Sequence, residues 1–136
     1  MRRRSPPQPT DRELAILQVL WRRGPSTVRD VHTALSAADG TGYTTILKLM
    51  QIMHDKRLVK RDESDRSHVY SAAHSAARVE SDLLAGLLSR VFAGSAERLV
   101  MRALSSRKLP AGDLQRIREF LDDYEKQRAS RKRSGS

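Results

Sequence analysis

The most informative part of the chain is residues 43–71, YTTILKLMQIMHDKRLVKRDESDRSHVYS. Its first half repeats apolar residues at helical spacing, which predicts a helix over 43–55 with one buried face. Those apolar residues are Ile46, Leu49, Met50 and Met53. Two β-prone runs follow, 58–61 and 68–71, and a polar loop over 62–67 joins them, which predicts a β-hairpin.

Two further helices are predicted upstream of this stretch. Thr10 and Glu13 have the spacing of a capping box, which predicts a helix start, and Gly24-Pro25 ends the apolar repeat that follows. Thr27 and Asp30 repeat the spacing and predict a second helix over about 27–37. Three helices and a hairpin within residues 10–73 indicate a winged helix-turn-helix, so the chain is expected to be mainly α.

Downstream, residues 74–126 are expected to be helical, with breaks at Gly94 and before Pro110. A segment of this size cannot bury much of its own apolar surface, so we expect it to pair with the same segment of a second copy. The alternative is that it packs on the winged domain of its own chain. The expected dimerisation residues are Leu83, Leu87, Val91, Leu99, Leu114, Ile117 and Leu121.

The chain is strongly basic, and much of the charge lies at its two ends. Its 136 residues have a formal net charge of +10, of which three charges lie in residues 1–9 and four in 128–136. A basic chain attracts anions, and nucleic acid is the first partner to consider. Residues 1–9 are expected to be a disordered arm, and residues 127–136 a disordered basic tail.

The polar face of the helix at 43–55 is the best candidate for reading DNA. A helix fits the major groove, where threonine, lysine and glutamine can reach base edges. The candidate residues on this helix are Tyr43, Thr44, Thr45, Lys48 and Gln51. An ordinary solvated helix face is the alternative, but the hairpin directly after the helix favours DNA reading.

The hairpin is the second candidate contact. Arg61, Arg66 and His68 would meet phosphates or the adjacent minor groove, contacts that position a protein without specifying sequence. Three acidic residues of the same loop, within 62–65, offset part of this charge.

The sequence contains no motif that indicates catalysis, cofactor binding or metal binding. The four histidines are scattered, no nucleophile or zinc motif occurs, and there is no cysteine. No apolar run is long enough to cross a bilayer, so we expect a cytoplasmic protein without membrane insertion.

Six stretches together resemble the BlaI/MecI (penicillinase repressor) family of bacterial repressors, over about residues 10–125. They are LAILQVLW (14–21), PSTVRDV (25–31), GYTTIL (42–47), KRLV (56–59), VFAGS (91–95) and LQRIREFL (114–121). The resemblance implies a homodimer whose winged domains bind the two halves of a palindromic operator and whose C-terminal helices interlock. It also implies DNA contacts from Thr44, Thr45 and Lys48 and from the wing around Arg66.

The sequence departs from the family at two places. The resemblance implies a membrane-bound sensor protease as a further partner, but Arg102-Ala103 stand where the best-known members have an Asn-Phe scissile pair. The cleavage site therefore does not carry over. Leu47 occupies a position where some members have a basic residue, which suggests a different operator, with an exposed Leu47 meeting a thymine methyl.

The sequence thus predicts a homodimeric, sequence-specific repressor that is not an enzyme. One alternative is a winged helix that docks a protein partner, while its basic tails bind nucleic acid nonspecifically. Another is a nucleoid-compacting protein. A repressor would leave a footprint on the DNA upstream of its own gene, and a nucleoid-compacting protein would not.

Overall fold

Both predicted capping boxes are present, and they fix where the first two helices begin. Helix α1 runs over Asp11–Arg23 and α2 over Val28–Asp39. At α1 the Thr10 hydroxyl accepts from the Glu13 N–H (3.2 Å), and the Glu13 carboxylate accepts from the Thr10 N–H (2.8 Å). Thr27 and Asp30 make the same reciprocal pair at α2. Each box satisfies two amide groups that a helix start leaves without partners.

The computed structural model describes residues 8–134 of the chain. Helix α3 occupies Tyr43–Asp55, the strands β1 and β2 occupy Val59–Asp62 and Val69–Ala72, and the later helices are α4 (Ala76–Val91), α5 (Ala96–Ser106) and α6 (Asp113–Ser134). Three helices followed by a hairpin form the winged helix-turn-helix that the sequence predicts. The chain divides into two units, Met1–Gly86 and Leu87–Ser136, with the boundary inside α4.

The hairpin is antiparallel and pairs Arg61 with Tyr70. A third segment joins it, because Ser26 and Tyr70 exchange two backbone hydrogen bonds of 2.9 and 2.7 Å. This bridge attaches the residue just before the capping box of α2 directly to the second strand of the wing.

The core of the first unit lies between α1, α2, α3 and the hairpin. Aliphatic and methionine side chains from all three helices fill it, and Tyr70 closes it from the wing. Its largest fully buried apolar side chains are Tyr70, Ile16, Leu17, Ile46, Met50, Met53, Val19 and Val31. The Trp21 ring nitrogen donates to the His74 carbonyl (2.9 Å), which fixes the chain after the wing against α1.

One ion pair within this unit is almost fully buried on its acidic side. Glu13 is 1% exposed, and the Lys56 ammonium lies 3.0 Å from both of its carboxylate oxygens. Since Glu13 also caps α1, the pair connects the start of α1 to the end of α3. A carboxylate this deeply buried needs such partners to offset the loss of its hydration.

The second unit has no closed core of its own. No side chain described between residues 87 and 133 is buried, and several large apolar ones are exposed. The turn from α4 to α5 places Ala93 and Gly94 at positive φ. The Ser95 hydroxyl then caps α5 by accepting from the Arg98 N–H (3.2 Å).

The ends of the chain differ in part from expectation. Residues 1–7 of the expected disordered arm lie outside the described part of the chain. Residues 127–134 of the tail expected to be disordered are instead helical, because α6 continues to Ser134. Residues 135–136 lie outside the described part of the chain. Arginine, lysine, glutamine and alanine favour helices, and cations are stabilised at a helix C-terminus. Within residues 8–134, no helix has the length and apolar character needed to span a membrane.

Candidate nucleic-acid interface

Helix α3 buries one face and presents a mostly polar one. Ile46, Met50 and Met53 lie in the core. Among the residues predicted to read DNA, Thr44, Lys48 and Gln51 are exposed, Tyr43 is partly exposed, and Thr45 is half-buried. The ring of Tyr43 meets His32 of α2 edge-on, at 5.7 Å between centroids, which fixes its orientation.

A groove of about 580 Å³ runs between α3, the start of α2 and the wing. Most of its lining is polar or cationic. The lining residues are Thr27, Val28, Arg29, Tyr43, Leu47, Gln51, Arg61, Arg66, Ser67, His68 and Tyr70. It thus collects five of the eight predicted DNA-binding residues. The other three, Thr44, Thr45 and Lys48, do not line it.

Arg61 has internal partners in the wing. Its Nε and a terminal nitrogen each lie 2.6 Å from a Glu63 carboxylate oxygen, and its side chain is 22% exposed. The pKa of Arg61 is raised above its ordinary value, first by hydrogen bonding to the Tyr70 side chain and then by the bond to Glu63. Its charge is therefore partly neutralised, and any contact with a phosphate would compete with Glu63.

Two of the three acidic residues of the wing loop, Asp62 and Glu63, are likewise held by local hydrogen bonds. The Asp62 carboxylate accepts from the Ser64 N–H (2.9 Å), and this backbone bond lowers the pKa of Asp62. The pKa of Glu63 is lowered by its bond to Arg61. Both carboxylates therefore stay ionised at neutral pH, while Arg66 and His68 remain exposed on the same loop.

Arg29 was not predicted, although it belongs to the groove. It is exposed on the first turn of α2 and lines the groove together with residues of the wing. The bridge from Ser26 to Tyr70 brings this turn next to β2. The signal available in the sequence was the position of Arg29 two residues after the capping Thr27, at the start of the helix that precedes the reading helix.

The expectation that Leu47 is exposed was wrong. Leu47 is half-buried and packs against the core of the winged unit while lining the groove. Its place between the polar and buried faces of α3 accounts for this, because a side chain at such a boundary touches both.

The predicted dimerisation residues lie on three helices. Leu83, Leu87 and Val91 are on α4, Leu99 is on α5, and the remaining three are on α6. Leu87, Val91, Leu114 and Leu121 are exposed, and Leu83, Leu99 and Ile117 are half-buried. Arg102 and Ala103, at the family's expected cleavage position, are exposed on α5.

Comparison with known proteins gives both a family and individual relatives. A family model described as penicillinase repressor matches residues 9–123. Two curated proteins, each named transcriptional regulator BlaI, come from Mycobacterium tuberculosis strains CDC 1551 / Oshkosh and ATCC 25618 / H37Rv. Each is 40% identical over 79 residues, which are 57% of this chain and 54% of the relative. The chain thus matches about half the length of these relatives.

Among solved structures, one described as giving structural insights into the DNA recognition and protein interaction domains of HOP2 is similar to part of the chain. The TM-score is 0.40 at 17% sequence identity, over 43% of this chain and 92% of that one.

Proposed function

Because the chain belongs to the penicillinase repressor (BlaI/MecI) family, we propose that it is a homodimeric repressor that reads a palindromic operator through α3 and the wing. The membership confirms the resemblance seen in the sequence and agrees with the expectation of a transcriptional regulator rather than an enzyme. An operator-binding repressor would act in the cytoplasm.

The observation that carries the proposal is the composition of one surface of the winged unit. The outward face of α3, with Thr44, Lys48 and Gln51, borders the groove that also contains Arg29 and Arg66. Base-reading side chains on a helix, with cations of α2 and the wing beside them, suit a major-groove reader, because phosphates run along the edges of that groove.

Each candidate residue then has a role that its position supports. Thr44, Lys48 and Gln51 would reach base edges, where lysine suits guanine and glutamine suits adenine. Arg29 and Arg66, which line the same groove beside α3, would contact phosphates and fix its orientation. Arg61 would contribute less, since Glu63 already holds it.

The apolar surface of the second unit supports the dimer. Phe120 is 68% exposed and Tyr124 57% exposed on α6, and Val91 is 59% exposed on α4. Large apolar side chains are rarely exposed together on a monomer. A second copy would cover them and hold two winged units for two half-sites, ~34 Å or a multiple of it apart.

Relief of repression by a sensor protease is not part of this proposal. The exposed Arg102-Ala103 pair on α5 differs from the Asn-Phe pair that the best-known members carry at the aligned position. The inducing signal must therefore be sought by experiment.

The direct test is operator binding by Lys48→Ala and Thr44→Ala, after a footprint across the chain's own promoter has located the operator. Each variant is expected to lose about 1–3 kcal/mol of binding free energy, measured by fluorescence anisotropy at fixed salt. Lys108→Ala is the matched control, because Lys108 is exposed outside the winged unit. Unchanged affinity in both α3 variants would contradict α3 as the reading element.

A further inference from the structure

The same face of α6 changes from apolar to basic along its length. Apolar residues at 114, 117, 121 and 124 follow helical spacing, and the next residues in that register are Arg128, Arg131 and Lys132. These three form the basic face of α6. Because the helix is continuous to Ser134, the basic face extends the apolar stripe instead of lying on another side.

Most of the basic face lacks acidic neighbours that could neutralise it. No acidic residue follows Glu125 in the sequence. All three basic residues are exposed, and none takes part in a salt bridge with any residue of the described range 8–134. Lys126 lies three and four residues after Asp123 and Asp122, and Arg128 lies three residues after Glu125, at spacings that allow pairing along a helix. Arg131 and Lys132 have no acidic residue at such a spacing.

The chemistry of the face excludes a second copy of itself as its partner. In a dimer formed through the apolar stripe, two basic faces would add six cations, which repel one another and attract a polyanion. Cations in the last turn are explained by their favourable interaction with the helix dipole at its C-terminus. That interaction does not explain why the cations lie in register with the apolar stripe. The family match ends at residue 123, before these residues.

We propose that the basic face of α6 binds the phosphate backbone of duplex DNA beside the operator. This inference rests on the proposed function, because a dimer held on its operator keeps the flanking duplex at high effective concentration. Arg128, Arg131 and Lys132 offer charge and hydrogen-bond donors but no base-reading geometry. The contact therefore adds affinity without sequence preference.

The test compares two duplexes and two triple variants. The short duplex holds only the operator, and the long one adds about 15 base pairs on each side, more than one helical turn. The basic-face variant is Arg128→Gln/Arg131→Gln/Lys132→Gln. The control with equal loss of charge is Arg116→Gln/Arg118→Gln/Lys126→Gln on the same helix. Sedimentation first confirms that both variants dimerise like the parent protein.

The basic-face variant is expected to bind the long duplex at least tenfold more weakly and the short duplex within twofold of the parent. Its salt dependence on the long duplex is expected to be shallower, by about 0.9 in logarithmic slope for each phosphate that the variant no longer neutralises. The control variant is expected to keep the parent's preference for the long duplex.

Three outcomes would overturn the inference. Unchanged affinity on both duplexes would mean that the face meets something other than DNA, such as an acidic protein. An equal loss of affinity on the long and the short duplex would mean that the basic face acts within the operator. An equal loss of affinity in the control variant would mean that only the net charge of the protein matters. If the parent protein leaves no footprint, the proposed function fails separately, and long and short random duplexes still test the face.

Discussion

The two units of the chain differ in how far they bury their apolar side chains. In the winged unit, three helices and a hairpin enclose Ile16, Met50 and Tyr70 completely. In the second unit, α4 and α6 leave Leu87, Val91 and Phe120 at the surface. An apolar stripe becomes a core only where elements approach it from several directions. The first unit has such elements, and for the second we propose a second copy of the chain as the partner that supplies them.

The largest expected effect comes from placing a charge on the uncovered surface. Leu87→Asp is expected to raise the dimer dissociation constant roughly 100-fold or more, because it removes a leucine from the interface and buries a carboxylate there. Sedimentation equilibrium measures this constant.

Ile52→Asp is the matched control for that experiment. Ile52 is 45% exposed on α3 and Leu87 is 40% exposed on α4, so the two substitutions are alike except for the unit in which they lie. Ile52→Asp should leave the dimer intact. If both variants dimerised like the parent, the second unit would not be the interface.

A smaller effect is expected from the ion pair inside the winged unit. Lys56→Met leaves the Glu13 carboxylate buried without its cation. We expect a loss of about 2–3 kcal/mol in unfolding free energy, less than for a fully buried pair because Lys56 is partly exposed. Urea unfolding measures the loss. The control is Lys60→Met, at an exposed position on β1, which should change the unfolding free energy little. If both variants lost the same unfolding free energy, the Glu13–Lys56 pair would add no stability.

The smallest expected effect concerns the start of α2. Thr27→Ala should cost about 1 kcal/mol, since it removes the hydroxyl that accepts from the Asp30 N–H. Thr33→Ala, at an exposed site on the same helix, is the control for helix propensity. Urea unfolding at neutral pH measures both losses of unfolding free energy. If Thr27→Ala lost no more than Thr33→Ala, the capping hydroxyl would not be needed for stability.

The capping box of Thr27 and Asp30 also predicts that folding stability depends on pH. The pKa of Asp30 is lowered, chiefly by the Thr27 backbone N–H. A lowered folded-state pKa means that the contribution is complete above the ordinary carboxyl range and is lost as pH falls through the folded value. The stability difference between the parent and Asp30→Asn should therefore shrink in acid, and a difference that grew there would reverse this assignment.

Features encoded by short spacings could be predicted from the sequence. The bounds of α3 and both capping boxes agree with the structure, because hydrophobic period and capping depend on residues three or four apart. Glu13 was predicted only as a cap. Its pairing with Lys56 joins residues 43 positions apart, and no local pattern encodes such a contact.

The helix and the hairpin of the candidate site could be predicted from the sequence, but the part contributed by the start of α2 could not. Arg29 joins the groove because the Ser26 bridge brings α2 to the wing, which is a tertiary contact. The end of α6 was missed for another reason, since a run of arginine and lysine suits a disordered tail as well as a helix. The helix supporting that run begins well before it, at Asp113.

The bridge between Ser26 and Tyr70 has a consequence for how this surface can evolve. Both of its hydrogen bonds join main-chain atoms, so no exchange of the outward side chains on α3 deletes them. New operator preferences can therefore arise at Thr44, Lys48 or Gln51 while the attachment of the start of α2, which carries Arg29, to the wing is inherited unchanged.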